Sequence, residues 1–433
     1  MTVDYVPGYA AHPATERSLL ASLAYIAFLL LIFVGLDAFS PPAAVSRFGG
    51  VQEASGGDSL RQICFLLTAG CIVLTAWQRF GLGLLRALPV SMLLLLGWCL
   101  ASALWSPDAG VVVRRAGLQV LIVFSALLSV ETVGARRAFD IWRVILAIVL
   151  LVNFVSIPLI GAARHGGDEI DTALIGNWRG LYGHKNIAGA VCAMTVIVFL
   201  FSRTGWRNWI GIGVALAAGV FLAMTHSKSS MGFLVLALLA GLFYHLSWRD
   251  GLSRAILIVA TAILLLALAA MAVLDAEALT RLLQDPDEFT GRSAIWAAEL
   301  AYIRDHPLLG SGFGTFTDTK GLSPLHGYVS GSWVAAVSHG HNGYLQLLVT
   351  IGGIGFALAM AALVFSPLRR FWRLAQDDSR SLFFALFVFV VLHNMMESDF
   401  LEGDGVSWTT MLLVIAMLRN SERSAEGGEE RPA

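Results

Sequence analysis

A short polar motif, Ser338-His339-Gly340-His341-Asn342-Gly343, directly precedes a long apolar segment. The ordinary pKa of a histidine is about 6.5, so a neutral imidazole that can accept a proton is available near pH 7. His341, with His339 as the alternative, is therefore a candidate general base. The same residues also suit a purely structural role, because His339 and Asn342 could cap the helix that follows.

Cations, together with one histidine, occur in polar segments on the same predicted side as this motif. Arginine forks and lysine ammonium groups commonly bind phosphate oxygens. The pattern predicts an anion-binding site, whose candidates are Arg292, Lys228, Arg179, His184, Lys185, Arg114 and Arg115. For each residue the alternative is snorkelling at the membrane interface or pairing with Asp168, Glu169 or Asp171.

The carboxylates form two groups with weaker functional signals. Asp285-Pro286-Asp287-Glu288 has the spacing of a D-x-D metal motif but is more typical of a solvated turn. Glu397, Asp399, Glu402 and Asp404 could contact a polar acceptor, although charged turns between helices are common. The sequence has no Walker A loop, G-x-S-x-G, H-E-x-x-H or dinucleotide fingerprint. It predicts neither a metal nor a cofactor.

The composition indicates what kind of scaffold must position these residues. Of 433 residues, 57% are hydrophobic and 14% are charged, and the mean hydropathy is +0.73. Soluble domains carry about 25% charged residues. The chain is therefore predicted to be a polytopic membrane protein, which excludes an ordinary soluble enzyme or a disordered chain. A net charge of −1 gives no basic field for nucleic acid.

Runs of roughly 20 apolar residues are long enough to cross a membrane as helices. They predict an all-α bundle of about twelve transmembrane helices that forms one integral membrane domain over residues 1–433. The predicted spans are 18–36, 60–78, 88–105, 117–131, 141–161, 187–202, 208–225, 231–247, 254–274, 342–366, 381–397 and 404–420.

The distribution of basic residues predicts the orientation of the bundle. With a cytoplasmic N-terminus, 17 of the 29 Lys and Arg residues lie in short inner segments, as the positive-inside rule requires. Both termini are then cytoplasmic, with residues 421–433 as a tail. The first 17 residues lack a basic signal-peptide region, so the first apolar run is expected to be a retained helix.

A long polar connection over residues 275–341 lies on the outer side, between the ninth and tenth spans. Connections of this length are generally functional or carry structure of their own. Ser293–Leu300 has helical apolar spacing and is followed by His306-Pro307, which predicts a helix that ends there. Gly310, Gly312 and Gly314 predict turns. We expect a partly helical extracytoplasmic loop over the bundle.

Four separated motifs resemble those of bacterial O-antigen ligases and the related Wzy-type polysaccharide polymerases. His341-Asn342, followed after nine residues by Gly352-Gly353-Ile354-Gly355, is similar to their H-N-x9-G-x-x-G signature. Gly291–Trp296 and His306–Gly312 are similar to the loop motifs G-R-x-x-I-W and P-x-x-G-x-G. Gly180–Asn186 is similar to G-x-x-x-H-K-N. The resemblance covers about residues 90–365.

The resemblance implies a glycosyltransferase of the bacterial inner membrane whose donor is a polyprenyl-pyrophosphate-linked glycan. His341 would take the proton of the acceptor hydroxyl, oriented by Asn342, with Arg292 as the second catalytic residue. Lys228, Arg179, Lys185, His184, Asn186, Arg114, Arg115 and His339 would contact substrate. Many relatives carry S-x-S-R-G where this chain has Ser227-Lys228-Ser229-Ser230. Lysine keeps the charge but loses the bidentate fork.

The resemblance favours a polymerase that joins lipid-linked repeat units into exopolysaccharide or O-antigen, by an inverting, metal-independent displacement. The alternative is a ligase that transfers the glycan to the lipid A core. A solute transporter is a more distant alternative, because transporters usually place polar sites near the middle of the bilayer. Implied partners are the donor, a glycan acceptor and the lipid bilayer, with a flippase and a chain-length regulator as further candidates.

Overall fold

Long apolar runs form the helices of this chain, because a helix satisfies all its backbone hydrogen bonds internally. The computed structural model describes residues 19–39, 59–167, 172–202, 209–247, 252, 292–317, 323–329, 340–373 and 378–429. Within these ranges every element is helical, and the one extended pairing is an isolated bridge between Arg164 and Trp178. The all-α prediction is confirmed.

The principal helices, numbered in chain order, are α1 Leu19–Phe33, α2 Ser59–Phe80, α3 Val90–Ala101, α4 Ala109–Val133, α5 Ala135–Leu159, α6 Lys185–Phe201, α7 Trp209–Thr225, α8 Lys228–Ser247, α9 Arg292–Asp305, α10 Gly343–Met360, α11 Ser366–Arg373, α12 Asp378–His393 and α13 Val406–Glu429. A π-helical turn, Ala361–Phe365, joins α10 to α11. Short 3-10 turns lie in several connections, including Gly81–Ala87 and Pro324–Gly327.

These helices overlap eleven of the twelve predicted spans, and the span predicted at 254–274 lies outside the described residues. Within the described residues, five helical segments are long and apolar enough to cross a membrane, and five shorter apolar helices accompany them. The long segments are Ser59–Ala87, Ala109–Val133, Ala135–Leu159, Lys228–Leu246 and Gly343–Arg373. The membrane character of the chain is therefore supported, and twelve crossings stay a prediction.

The helix ends form two groups at opposite ends of the bundle. At one end, Arg61 at the start of α2 pairs with Asp404 before α13, and Tyr182 Oη donates to Phe33 O. We call this the site end. At the other end, which we call the arginine end, Arg423 pairs with Glu131 at 2.7 Å. The residues at these two ends come from the segments predicted to be outer and inner, respectively, and their orientation toward the cytoplasm stays a prediction.

Helices α6 and α13 lie at the centre of the bundle. All side chains from Ala188 to Phe199 are buried, and so are those from Met411 to Leu418. A helix that is apolar all round must be surrounded by other helices. The residues predicted as a tail continue α13 as far as Glu429, because Glu422 and Arg423 bind Arg370 and Glu131 and anchor the helix there.

Helix α10 is interrupted at Gly352, where φ is 66°. The connection after α9 packs into this break: Pro307 O accepts from Gly353 N at 2.8 Å, and Ser311 N donates to Val349 O at 2.9 Å. A Cβ on Gly310 would lie 2.7 Å from Gly352 N, so the two backbones meet only because both residues are glycine. The break therefore joins two of the sequence motifs physically.

Candidate active site

His341 and Asn342 lie at the start of α10, at the site end of the bundle. The Asn342 side chain caps α10 by accepting from Tyr344 N at 3.0 Å and Leu345 N at 3.1 Å, and its amide donates to Met395 O. His341 adopts a φ of 53°, in the left-handed region that non-glycine residues avoid. Such backbone strain is concentrated at functional sites. Helix capping therefore explains the role of Asn342, but it does not explain the strained conformation of His341.

The imidazole of His341 contacts a carboxylate from a distant part of the chain. His341 Nδ1 lies 3.2 Å from Glu397 Oε2, in the turn between α12 and α13. A carboxylate partner holds the imidazole proton on Nδ1, and in that tautomer Nε2 carries the lone pair. The arrangement therefore orients the imidazole with its Nε2 lone pair available, and the His341 side chain is 26% exposed.

Glu397 is the point at which the predicted site residues meet. Its carboxylate accepts from Arg292 Nη2 at 3.0 Å and from Asn186 Nδ2 at 2.6 Å, in addition to His341. Burial by itself would raise the pKa of Glu397, but the bond to His341 and the charge of Arg292 lower that pKa to about 2. Glu397 is therefore ionised at neutral pH.

Arg292 is the first residue of α9, so the loop helix carries it directly to this turn. Its guanidinium also donates to Met396 O, next to Glu397. An arginine has five N–H donors, and these two contacts use two of them. Arg292 therefore holds the Glu397 turn in place, and it can also present N–H groups toward a bound anion.

The start of α6 contributes a histidine that acts as an acceptor. His184 Nδ1 accepts from Asn186 N at 3.2 Å and caps the helix, while Lys185 N donates to His165 Nε2 at 3.1 Å. The His165 and His184 rings lie 5.4 Å apart, edge to face. Burial lowers the pKa of His184 to about 4, although the negative charge of Glu397 opposes this shift. His184 is therefore neutral at pH 7.

Lys228 is exposed at the first position of α8, close to the start of α6. Lys185 Nζ donates to His226 O at 3.5 Å, which brings the two lysine-bearing turns together. Lys228 has no hydrogen-bond or ion-pair partner within the described part of the chain. Its ammonium group is thus available for a bound anion.

A buried chain of hydrogen bonds connects the Lys228 turn to the Glu397 turn. Ser227 Oγ donates to Ser230 Oγ at 3.0 Å, Ser230 Oγ lies 3.2 Å from His393 Nε2, and His393 Nδ1 lies 2.5 Å from Asp399 Oδ2. This order has the form of a Ser-His-Asp triad. Because Ser230 is fully buried, its hydroxyl is inaccessible to a substrate and the chain serves to hold the two turns together.

Two other predicted residues contact backbone carbonyls, a third is exposed, and a fourth is not described. Arg179 is buried and donates to Ala162 O and Gly183 O, so it supports the loop before α6. Arg115 donates to Gly314 O at 2.7 Å, and Arg114 is exposed on α4. His339 lies outside the described residues, as do the acidic groups at 168–171 and 285–288. Substrate roles for these residues stay predictions.

Sequence reasoning gave too little weight to two carboxylates. Glu397 belongs to an acidic turn, which was the available signal, but nothing local indicates its contact with His341. Glu299 on α9 is buried, and both of its carboxyl oxygens lack a partner among the described residues. It packs against Gly340, whose carbonyl accepts from Trp296 Nε1 at 2.9 Å. Burial raises the pKa of Glu299 to about 8, so it is mainly protonated at pH 7.

The electrostatic character of the site follows from its helix starts. Helices α6, α8, α9 and α10 all begin here, and each helix start carries about half a positive charge. Backbone N–H groups at helix starts bind phosphate readily. In the described residues no three His, Cys, Asp or Glu side chains form a group that could hold a metal ion. The arrangement combines an oriented imidazole with helix starts that can bind a phosphate group.

Comparison with known proteins finds one family that resembles part of this chain. No curated protein matches the chain. One family model, described as O-Antigen ligase, matches residues 212–360, about a third of the chain. The matched region includes Lys228, Arg292, His341 and the glycines of the α10 break. Over these residues the chain is similar to the O-antigen ligase family, which supports the resemblance to the O-antigen ligase and Wzy superfamily.

Proposed function

We propose that this protein transfers a glycan from a polyprenyl-pyrophosphate donor to an acceptor hydroxyl at the outer face of a bacterial inner membrane. The observation that carries this proposal is the contact of His341 with Glu397, which Arg292 and Asn186 also bind. The contact supplies an oriented imidazole beside cationic groups. Glycosyl transfer from a pyrophosphate donor needs both.

The base step is a proton transfer from the acceptor hydroxyl to His341 Nε2. As the proton leaves, the hydroxyl oxygen attacks the anomeric carbon of the donor sugar, and the bond from that carbon to the pyrophosphate oxygen breaks. The electron pair of that bond leaves with the pyrophosphate. Attack opposite the leaving group inverts the anomeric configuration. Glu397 stabilises the imidazolium that forms, because its carboxylate remains ionised.

Charge that develops on the leaving pyrophosphate is stabilised by Lys228, Lys185 and the four helix starts, and Arg292 can add N–H donors that its bonds to the Glu397 turn leave unused. Lys228 is exposed, and Lys185 lies at the adjoining turn. Pyrophosphate is already a good leaving group, so the proposed step requires neither a general acid nor a metal ion. The polyprenyl tail would lie along lipid-facing helix surfaces, where large apolar side chains such as Leu151 and Leu216 are exposed.

Polymerisation of repeat units is the reaction we favour, on the resemblance of the loop motifs. Ligation to the lipid A core is the second candidate, and the match of residues 212–360 to an O-antigen ligase family favours it. A deletion strain distinguishes the two. Lipid-linked glycans that stay at one repeat unit indicate a lost polymerase, whereas accumulated long lipid-linked chains indicate a lost ligase.

Reconstitution with a defined polyprenyl-pyrophosphate oligosaccharide tests the reaction directly, with and without a chelator. His341→Ala and Arg292→Ala should abolish product, while both proteins insert and purify normally. His245→Ala is the matched control, since His245 lies on α8 toward the arginine end. Wild-type yields from His341→Ala would refute the proposed base. Loss of product on chelation would refute metal independence.

A further inference from the structure

A groove with one cationic and one apolar side lies on α11, at the arginine end of the bundle. It has a volume of about 390 Å³ and is lined by Phe365, Leu368, Arg369, Trp372 and Arg373. An adjoining cavity of about 310 Å³ shares Phe365, Arg369 and Arg373. Arg369 and Arg373 are four residues apart, so their side chains lie on one face of the helix.

The two guanidinium groups in this groove are available to a ligand. Arg369 and Arg373 have no hydrogen-bond or ion-pair partner within the ranges that the structure describes. The neighbouring Arg370 differs, because its Nε lies 3.1 Å from Glu422 Oε2. The one carboxylate that lines the cavities is therefore already neutralised, and the surface keeps two positive charges.

Apolar side chains lie beside these charges and remain exposed. Phe365 is 65% exposed and Trp372 is 60% exposed. A site that binds a free anion does not require two exposed aromatic rings. Apolar groups next to two arginines instead match a ligand with a phosphate group attached to a hydrocarbon chain.

The position of the groove along its helix agrees with a membrane interface. Gly343–Arg373 forms one apolar helical segment of 31 residues. At 1.5 Å per residue it extends at most about 46 Å, since the break at Gly352 and the π-helical turn shorten it, whereas the hydrocarbon core is about 30 Å thick. With Gly343 at one interface, Phe365 lies at most about 33 Å along the axis, and the arginines of α11 lie beyond it, next to the opposite headgroup layer.

We propose that this groove binds an anionic phospholipid, with the headgroup phosphate on Arg369 and Arg373 and the acyl chain on Phe365, Leu368 and Trp372. A zwitterionic phospholipid fits less well, because its ammonium group would lie near two unneutralised guanidinium groups. The site is at the opposite end of the bundle from His341. It is therefore independent of the glycosyl transfer proposed above.

Native mass spectrometry of the full chain in detergent, titrated with phosphatidylglycerol or phosphatidylcholine, tests the proposal. Each surface arginine contributes on the order of a fivefold gain in binding to an anionic lipid, so Arg369→Gln with Arg373→Gln should weaken phosphatidylglycerol binding roughly thirtyfold. Phosphatidylcholine binding should change little. Arg136→Gln with Arg137→Gln, on α5 at the same end, is the control with an equal loss of charge and should bind as the wild type does.

Four outcomes would overturn the proposal. They are equal binding of the two lipids by the wild type, wild-type binding by the α11 double variant, an equal loss in the α5 control, or displacement of the lipid by millimolar inorganic phosphate. The last would identify a site for free anions. The substituted side chains are exposed, and the single variants Arg369→Gln and Arg373→Gln provide the same comparison if the double variant purifies poorly.

Discussion

Replacing Glu397 by glutamine tests whether the carboxylate beside His341 takes part in the reaction. The substitution keeps the size and shape of the side chain but removes its charge. A glutamine amide presents one oxygen and one NH2 group. It therefore cannot accept from both Arg292 and His341, as the carboxylate does at 3.0 and 3.2 Å.

The size of the effect follows from the geometry of this contact. The Nδ1–Oε2 distance of 3.2 Å places the charge centres of an imidazolium and the carboxylate about 4 Å apart. At an effective dielectric constant of about 20, two unit charges at that separation attract by about 4 kcal/mol. Each 1.36 kcal/mol changes a rate tenfold, so kcat should fall about a thousandfold. Donor KM should change little, because the stabilised charge develops on His341 during the reaction.

The assay is the initial rate of product formation in the reconstituted system, measured with Glu397→Gln and Glu397→Asp. Aspartate keeps the charge on a shorter side chain and should lose about tenfold. Glu131→Gln is the matched control, since Glu131 forms a comparable ion pair with Arg423 at the opposite end. Because the pKa of Glu397 is about 2, the wild-type carboxylate is ionised throughout the assay range of pH 5 to 9.

A kcat for Glu397→Gln within threefold of wild type would refute this reasoning. An equal loss in Glu131→Gln would show instead that any broken ion pair damages the protein. A thermal midpoint much lower for Glu397→Gln than for the control would assign the defect to folding.

Three further substitutions test separate parts of the structure. Gly352→Ala should destabilise the protein by about 2 kcal/mol or more and reduce activity, because φ is positive there and a Cβ would collide with Leu308. Gly70→Ala on α2, where a Cβ would contact nothing, is the control and should be neutral. The thermal midpoints of the two variants and the wild type provide the comparison. The pKa of Glu299 is raised to about 8 in the folded protein, so the unfolded state binds fewer protons than the folded state between about pH 4.5 and 8. The stability of the wild type should therefore fall as pH rises through that range, and Glu299→Gln should remove this pH dependence. Thermal midpoints measured against pH test this, and an unchanged pH dependence in Glu299→Gln would contradict the assignment. Lys228→Gln should lower kcat/KM roughly tenfold while Lys228→Arg retains it, and equal rates for the two would mean that charge at this position is unimportant.

Helices could be predicted from the sequence wherever hydrocarbon-facing residues are continuous. The run 208–225 corresponds closely to α7, which begins at Trp209. The spans predicted at 117–131 and 141–161 begin several residues too late, because α4 and α5 start with charged turns at the interface. In α4, Asp108 caps the helix and accepts from Val111 N at 3.0 Å. Hydropathy reports the apolar part of a helix, whereas its first turns are determined by capping.

The site could be predicted only in part, for a related reason. His341 and Arg292 stand out because their local motifs are unusual. Glu397 lies in an ordinary acidic turn, and its partners come from the starts of three other helices. Contacts between residues far apart in the chain leave no trace in local spacing. The α10 break is an intermediate case, since the glycine pattern was visible but its packing against the Pro307–Gly312 segment was not.

The charge balance of the site explains how a lysine could serve at the position where the S-x-S-R-G pattern of the resembled family has an arginine. Arg292 is neutralised by Glu397, so the positive charge that remains for a leaving group comes from Lys185, Lys228 and the helix starts. Four helix starts contribute about two positive charges together, comparable with the two negative charges of a pyrophosphate diester. Their N–H groups also provide directional hydrogen bonds. A lysine needs to add only charge at such a position, and the buried Ser230–His393–Asp399 chain holds its turn in place.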